Sequence, residues 1–180
     1  EALNASLSSG VLTCLIGANG VGKSTLMRTI AAFQSPLHGN VYLDGRPIPS
    51  YTPHELSERI GVVLTEKNIQ ADLTVAEVVG LGRTPYTNFW GSLKEDDRRM
   101  VDEAITLVGL DTLRNRKIHQ ISDGERQKAL IAKTLAQQTP IILLDEPTSF
   151  LDLPNRYELC RLLEDKDFSI AIISKSGTTT

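Results

Sequence analysis

The sequence predicts an α/β fold in which a core of parallel strands carries a small antiparallel β region and an inserted helical segment. A glycine-rich loop at residues 17–25 separates an apolar run from a helical pattern. Two more apolar runs, at residues 141–144 and 168–173, are typical of strands buried on both faces of a parallel sheet. The intervening residues 72–138 carry mainly helical periodicity.

The first third of the chain predicts two strands and a helix around the glycine-rich loop. Residues 2–7 alternate between apolar and polar side chains and predict an edge strand. The run at residues 11–16 predicts a buried strand, and Cys14 within it, like Cys160 later, is interpreted as a reduced core residue. After the loop, helical spacing links three apolar residues: Leu26, Ile30 and Phe33.

The later elements alternate between strands and helices. Asp44-Gly45, between short apolar runs, predicts a hairpin, and residues 61–64 predict a short buried strand. Pro140 ends the helical segment, and residues 157–164 have a helical pattern. An apolar stripe at helical spacing consists of Met100, Val101, Ala104, Ile105 and Val108.

Length and composition limit the class of protein. The 180 residues suit a single domain, with residues 1–64 and 139–180 as its core and about 65–138 as a helical subdomain. The net charge is −3 and Lys/Arg runs are absent, so we expect no nucleic-acid partner. No signal peptide is visible, and no run approaches the roughly 18 apolar residues of a transmembrane helix.

A phosphate-binding loop is the strongest chemical signal. Gly17, Gly22, Lys23 and Ser24 fit the pattern G-x-x-x-x-G-K-[ST] between a predicted strand and a predicted helix. Glycines let backbone amides surround a phosphate chain, and the helix adds the positive end of its dipole. Lys23 would reach the β- and γ-phosphates, and the Ser24 hydroxyl could bind Mg²⁺. The expected nucleotide-binding residues are Gly17, Ala18, Asn19, Gly20, Val21, Gly22, Lys23, Ser24 and Thr25.

Two adjacent carboxylates, Asp145 and Glu146, follow the apolar run 141–144. Ligand sites in open α/β sheets lie at the carboxyl ends of strands, where neighbouring residues point in different directions. Beside a phosphate loop, Asp145 is predicted to bind Mg²⁺ and Glu146 to polarise the attacking water as the catalytic residue. Without that loop, the pair would be interpreted as a solvated strand end.

A helix start at Ser122 is a further candidate site. Ser122 suits an N-cap position, and Glu125 completes a capping box, which is a sufficient structural interpretation. A helix N-terminus also binds anions, so Ser122 and the Gly124 amide could face a γ-phosphate. That phosphate is not obviously the one held by the chain's own loop.

Four motifs in this order resemble those of ABC-transporter ATPase subunits. Beside the phosphate loop, or Walker A, residues 121–127 resemble the signature, 143–147 Walker B, and 148–152 the D-loop that contains Asp152. The resemblance covers nearly the whole chain. The signature departs from the common LSGGQ form, and the residues expected to serve a partner's ATP are Ser122, Asp123, Gly124 and Glu125.

This resemblance implies a P-loop NTPase core of ABC type that hydrolyses ATP with Mg²⁺. It also implies a head-to-tail homodimer around two ATP molecules, in which Lys23 of one subunit faces Ser122 of the other. Further implied partners are integral membrane permease subunits and, indirectly, a substrate-binding protein. The chain would then lie at the cytoplasmic face of the inner membrane, held there by the permease.

Residues 73–86 resemble the branch that imports iron-siderophore complexes, haem and cobalamin. The most telling part is Gly82-Arg83-Thr84-Pro85-Tyr86. The structural alternative for this segment is a helix end followed by a turn and an exposed aromatic.

Three departures from the family pattern stand out. Thr65 occupies the position of the Q-loop glutamine, and its shorter side chain reaches less far toward the metal. The adenine-stacking aromatic of the family would precede Glu1, and Ser176 stands where the switch histidine is expected. The sequence therefore predicts a domain truncated at both ends.

Two alternatives stay open at this stage. One is an ABC-type nucleotide-binding module without turnover, given Ser176. The other is an ABC ATPase of a non-transport system, although residues 66–120 are too short for the long coiled coils of DNA-repair members.

Overall fold

Parallel strands form the centre of the molecule. A computed structural model describes residues 3–8, 10–18, 20–64, 72–87, 91–148, 150–164 and 169–176. The strands are β1 Thr13–Gly17, β2 Tyr42–Leu43, β3 Arg46–Pro47, β4 Ile60–Val63, β5 Ile141–Asp145 and β6 Ser169–Ser176. The main sheet has the order β1, β6, β5, β4 and is parallel throughout, while β2 and β3 form an antiparallel hairpin.

Six α-helices flank these strands in the described part of the chain. They are α1 Lys23–Ile30, α2 Pro53–Ser57, α3 Val75–Gly80, α4 Glu95–Leu107, α5 Asp123–Gln137 and α6 Leu153–Glu164. Three of them begin with the same capping box, in which a Thr or Ser side chain and a Glu three residues later satisfy each other's backbone amides. None of these helices combines the length and the apolar character needed to cross a membrane.

Alternate side chains of β5 enter two different cores. Ile142 and Leu144 pack in a large core with residues of α3, α4, α5 and α6, whereas Leu143 packs with Met27 and Ile60 in a smaller one. Because successive side chains on a strand point to opposite faces, the sheet lies between two layers. The α/β class is confirmed, as are the hairpin at Asp44-Gly45, the strands near 61–64, 141–144 and 168–173, and the helix near 157–164.

The predicted burial of the first strand is wrong. β1 forms as expected, but Cys14 is exposed and Ile16 is 76% exposed. In the described sheet β1 is an edge strand, and only its other face, through Leu15, packs against the smaller core. Cys14 is a free thiol but not a core residue, and the side chain of Cys160 lies outside the described part of the structure.

Two other predictions near the N-terminus are also wrong. Residues 3–8 form no strand, since alternation alone supplies no partner for backbone hydrogen bonds. Phe33 does not continue α1, because the helix ends at Ile30 and Ala32 has a φ of 62°. Phe33 is therefore exposed, and Met27 is the apolar side chain that α1 buries completely.

The segment Gly82 to Tyr86 lies in the 3-10 helix Leu81–Tyr86, which packs on α5. A Cβ at Gly82 would lie 2.1 Å from the backbone oxygen of Lys133. We expect Gly82→Ala to lower the free energy of unfolding by about 1–3 kcal/mol or more, because a backbone carbonyl cannot move aside as a flexible side chain can. Urea denaturation of both proteins measures the difference.

Gly80 provides the matched control for this experiment. A Cβ there would lie 3.4 Å from the flexible end of Leu93, and the position is helical. Gly80→Ala should therefore be neutral or slightly stabilising. Equal stability of the two alanine variants would show that α5 does not constrain Gly82.

Candidate functional site

The carboxyl ends of the parallel strands meet at one edge of the sheet. Gly17 at the end of β1 lies opposite Ser176 of β6, and Asp145 at the end of β5 lies opposite Ser174 of the same strand. This register brings the start of the glycine-rich loop and the predicted acidic residue of β5 to the same edge. It also puts Ser176, the residue at the expected histidine position, next to the loop.

The glycine-rich loop joins β1 to α1, as the motif requires. Gly20 and Gly22 have φ angles of 78° and 98°, in the region that L side chains rarely adopt. Gly22 directly precedes α1. Because glycine has no Cβ, it can adopt the positive φ that this tight turn requires. Asn19, which was also predicted to bind nucleotide, lies outside the described residues.

Lys23 folds back over this loop. It is only 8% exposed, and its Nζ donates hydrogen bonds of 2.8 Å to the backbone oxygens of Gly17 and Ala18. Ser24 and Thr25 follow in the first turn of α1 and are exposed. A buried ammonium and an accessible hydroxyl thus lie at the same helix start, which is a suitable combination for a phosphate with its metal ion.

Asp145 and Glu146 differ in their surroundings. Asp145 ends β5 and is 6% exposed, and α1 packs against this strand. Glu146 has a φ of 46°, so the chain turns sharply directly after the strand. A non-glycine residue in this region stores strain of about 1–3 kcal/mol, a feature that clusters at functional sites. The strain at Glu146 has no signal in the sequence.

The donor atoms suit Mg²⁺ rather than a softer metal. Among the described residues, no group of three or more His, Cys, Asp or Glu could hold an ion without other ligands. Mg²⁺ is commonly bound by one or two protein oxygens together with phosphates and water. The Ser24 hydroxyl and the Asp145 carboxylate fit that donor set. Thr65, the third candidate, lies outside the described part of the chain.

The predicted capping box at α5 is confirmed. Ser122 Oγ accepts a hydrogen bond from the Glu125 amide, and Glu125 Oε2 accepts bonds of 2.8 Å from both the amide and the hydroxyl of Ser122. Asp123 forms an ion pair with Arg126, which also donates to the backbone oxygens of Ile118 and Ile121. Arg126 thereby holds in place the backbone that leads into the helix. Sequence analysis missed this residue, although its position three residues after Asp123 could have indicated an ion pair on a helix.

The first turn of α5 lies against the loop that follows β5. A Cβ at Gly124 would come 3.0 Å from the backbone oxygen of Phe150. Further along this loop, Asp152 accepts hydrogen bonds from the amide and the side chain of Asn155 and so caps the start of α6. The signature and the D-loop segment are therefore adjacent within one chain, although Ser149 between Glu146 and Phe150 is not described.

Glu125 is held in its charged form. The hydrogen bonds from the Ser122 amide and hydroxyl keep the pKa of Glu125 below its ordinary value, although burial acts in the opposite direction. The positive charges of Arg116 and Lys128 lower this pKa further. The folded chain therefore releases the Glu125 proton more readily than the unfolded chain does.

This shift predicts a pH dependence of stability. A carboxyl whose pKa is lowered by folding stabilises the folded state above its unfolded pKa of about 4.3, and the effect is lost as the pH falls through the folded pKa. Glu125→Gln keeps the cap but does not titrate, so the wild type should lose more stability between about pH 6 and pH 3. Urea denaturation of both proteins tests this; parallel losses would contradict it.

One family model and two curated proteins match most of this chain. The family model described as ABC transporter matches residues 1–149. The chain is 41% identical over 176 residues to the uncharacterized ABC transporter ATP-binding protein MJ0873 of Methanocaldococcus jannaschii, covering 96% of this chain and 61% of that protein. It is 37% identical to the ferric enterobactin transport ATP-binding protein FepC of Escherichia coli, covering 96% of this chain and 65% of that protein.

A solved structure shares the fold. The dimeric structure of MJ0796, a bacterial ABC transporter cassette, has a TM-score of 0.83 and 27% identity, covering 96% of this chain and 78% of that one. The chain thus spans 61% and 65% of the lengths of the two curated relatives.

Proposed function

Because the chain belongs to the ABC transporter family, as an ATP-binding subunit, we propose that it binds MgATP, hydrolyses it and thereby powers the import of an iron chelate. The observation that carries this proposal is the meeting of the phosphate loop, Asp145 and Glu146 at one edge of the sheet. Family membership supports ATP as the nucleotide.

The proposed chemistry assigns one task to each residue. Lys23 and the loop amides bind the phosphate chain, and Ser24 with Asp145 would hold Mg²⁺, which neutralises phosphate charge. Glu146 polarises the attacking water, since it directly follows the metal ligand and its backbone turns away from the strand. Ser176, across from Gly17, stands beside the phosphates in this proposal.

A second copy of the chain would complete each site. Ser122 and Asp123 are exposed, while Gly124 lies close to the backbone of Phe150, so the first residues of the signature are accessible to a second copy. The similarity to a dimeric cassette supports a pair of copies. The head-to-tail arrangement, with the nucleotide between the two copies, is what the resemblance to ABC-transporter ATPase subunits implies. Membership of the ABC transporter family supports permease subunits as partners and a peripheral place at the cytoplasmic membrane face.

The transported substrate is proposed from two observations. The segment Gly82 to Tyr86 resembles importers of iron-siderophore complexes, haem and cobalamin, and the relative FepC is named for ferric enterobactin transport. We therefore propose an iron-siderophore complex, with haem and cobalamin as the competing solutes. Uptake of radiolabelled iron-siderophore, haem and cobalamin by cells with and without the gene distinguishes the three.

The nucleotide part of the proposal is tested with Ser122→Arg. This variant should bind a fluorescent ATP analogue as the wild type does, but it should not form a pair on addition of MgATP or release phosphate. Size-exclusion chromatography and a phosphate-release assay provide the readouts. If the variant loses nucleotide binding as a monomer, the signature serves its own phosphate loop and the two-copy site is wrong.

A nucleotide-binding module without turnover is the second candidate. It is favoured by Ser176, because a serine beside Gly17 cannot supply the positive charge that a histidine could. Nucleotide binding and ATP-dependent pairing without phosphate release would support this candidate over an active ATPase.

A further inference from the structure

A buried ion pair lies inside the helical part of the molecule and has no role in the proposed chemistry. Arg83 Nε and Asp97 Oδ1 are 2.9 Å apart, and their side chains are 9% and 5% exposed. Asp97 Oδ2 also accepts a hydrogen bond of 3.0 Å from the Lys94 amide at the start of α4. Burying two charges is costly unless both are fully hydrogen-bonded, so this pair requires its particular surroundings.

Arg83 links this ion pair to the C-terminal end of α5, the end away from Ser122. Its Nη1 donates a 2.9 Å hydrogen bond to the backbone oxygen of Ala136, in the last turn of α5, and lies 3.4 Å from Gln138 Oε1. Carbonyls of a last helical turn lack partners within the helix, and a cation there also complements the helix dipole. The Tyr86 ring covers the guanidinium at 4.0 Å.

The same region is attached to α2 on the other side. His54 Nε2 lies 3.0 Å from the backbone oxygen of Pro85. Gln137, in the last turn of α5, donates a hydrogen bond to the backbone oxygen of Ser57. The C-terminal end of α5 is therefore held between the start of α4 and the short helix α2, with Arg83 at the centre.

We propose that Arg83 is a positioning residue that sets the orientation of α5 and thereby the place at which Ser122 meets the nucleotide of a second copy. The proposal rests on the function proposed above. The 15 residues of α5 span about 22 Å, so a tilt of about 5° at the Arg83 end moves the Ser122 end by about 2 Å. A displacement of about 1 Å at a reacting centre can cost on the order of 10²-fold in rate.

The test variant removes the Arg83–Asp97 ion pair and the link from Arg83 to α5 without leaving an unpaired buried charge. In the double variant Arg83→Met/Asp97→Asn, both charges are absent. The side-chain oxygen of the asparagine can still accept a hydrogen bond from the backbone N–H of Lys94. Replacing both partners avoids the large destabilisation that follows when one charge is left unpaired. The control is Arg114→Met/Asp102→Asn, which removes an exposed ion pair that also involves α4.

The first readout compares nucleotide binding with pairing. We expect the Arg83/Asp97 variant to bind the fluorescent ATP analogue as the wild type does, but to need about tenfold more MgATP for half-maximal phosphate release. The control should match the wild type in both assays. A purely structural role would lower the melting temperature and leave this ATP dependence unchanged, and that result would overturn the proposal.

The second readout needs no second copy, so it separates this inference from the function on which it rests. Spin labels at Gln120 and Arg28, in a chain with Cys14 and Cys160 replaced by serine, report the distance between the start of α5 and the phosphate-loop helix. The variant should broaden or shift this distance distribution by about 2 Å, the displacement that a tilt of about 5° would produce at the Ser122 end of α5. An unchanged distribution would overturn the proposal, whether or not the wild type hydrolyses ATP.

Discussion

Glu146→Gln is expected to lower steady-state phosphate release by about two to four orders of magnitude, the range typical of losing a general base. The amide keeps the shape of the side chain but cannot accept a proton from the attacking water. Both residues carry a Cβ, so the strained backbone with its φ of 46° changes little. MgATP binding should persist, because Lys23 and the loop amides are untouched.

This variant should also accumulate as an ATP-bound pair, since opening would await a hydrolysis step that no longer occurs. Size-exclusion chromatography with MgATP and a phosphate-release assay measure the two effects. Glu158→Gln is the matched control, because Glu158 is an exposed carboxylate of α6 whose partner is Lys128. Normal turnover by Glu146→Gln would remove Glu146 from the catalytic role.

Lys23→Ala is expected to weaken MgATP binding by about 2–5 kcal/mol, the cost of leaving a buried phosphate charge without its partner. Its Nζ now binds the Gly17 and Ala18 oxygens, and it must exchange these bonds for phosphate oxygens. Both sets of bonds are charge-assisted, but the anionic acceptor is the stronger one. The exchange therefore favours the nucleotide.

Titration with a fluorescent ATP analogue measures the loss of affinity. Lys128→Ala serves as the control, because Lys128 is a cation of α5 that pairs with Glu158. A melting curve without nucleotide shows whether the Lys23 variant is folded. A folded variant with wild-type affinity would contradict the assignment of Lys23 to the phosphate site.

Local signals in the sequence were enough for most of the elements that carry the candidate site. The phosphate loop, the apolar run before Asp145 and the capping box at Ser122 each depend on residues within about four to eight positions of one another, and each forms as expected. The start of the phosphate loop and Asp145 meet at one sheet edge because parallel strands end on the same side.

Features that depend on distant residues could not be predicted in this way. The exposure of Cys14 and Ile16 is set by the strand order, which places β1 at an edge of the described sheet. Arg83 meets Ala136 across 53 positions, so its burial gives no periodic pattern in the sequence. The positive φ of Glu146 is likewise not one that its residue type predicts.

The capping box at Ser122 has a consequence for the reversibility of any contact made there. A hydroxyl carries one hydrogen, and Ser122 already donates it to the carboxylate of Glu125. An incoming acceptor must therefore take over a hydrogen bond within the chain instead of filling an empty position. The net gain is the difference between two bonds to anions, so a contact formed at this serine costs little free energy to release.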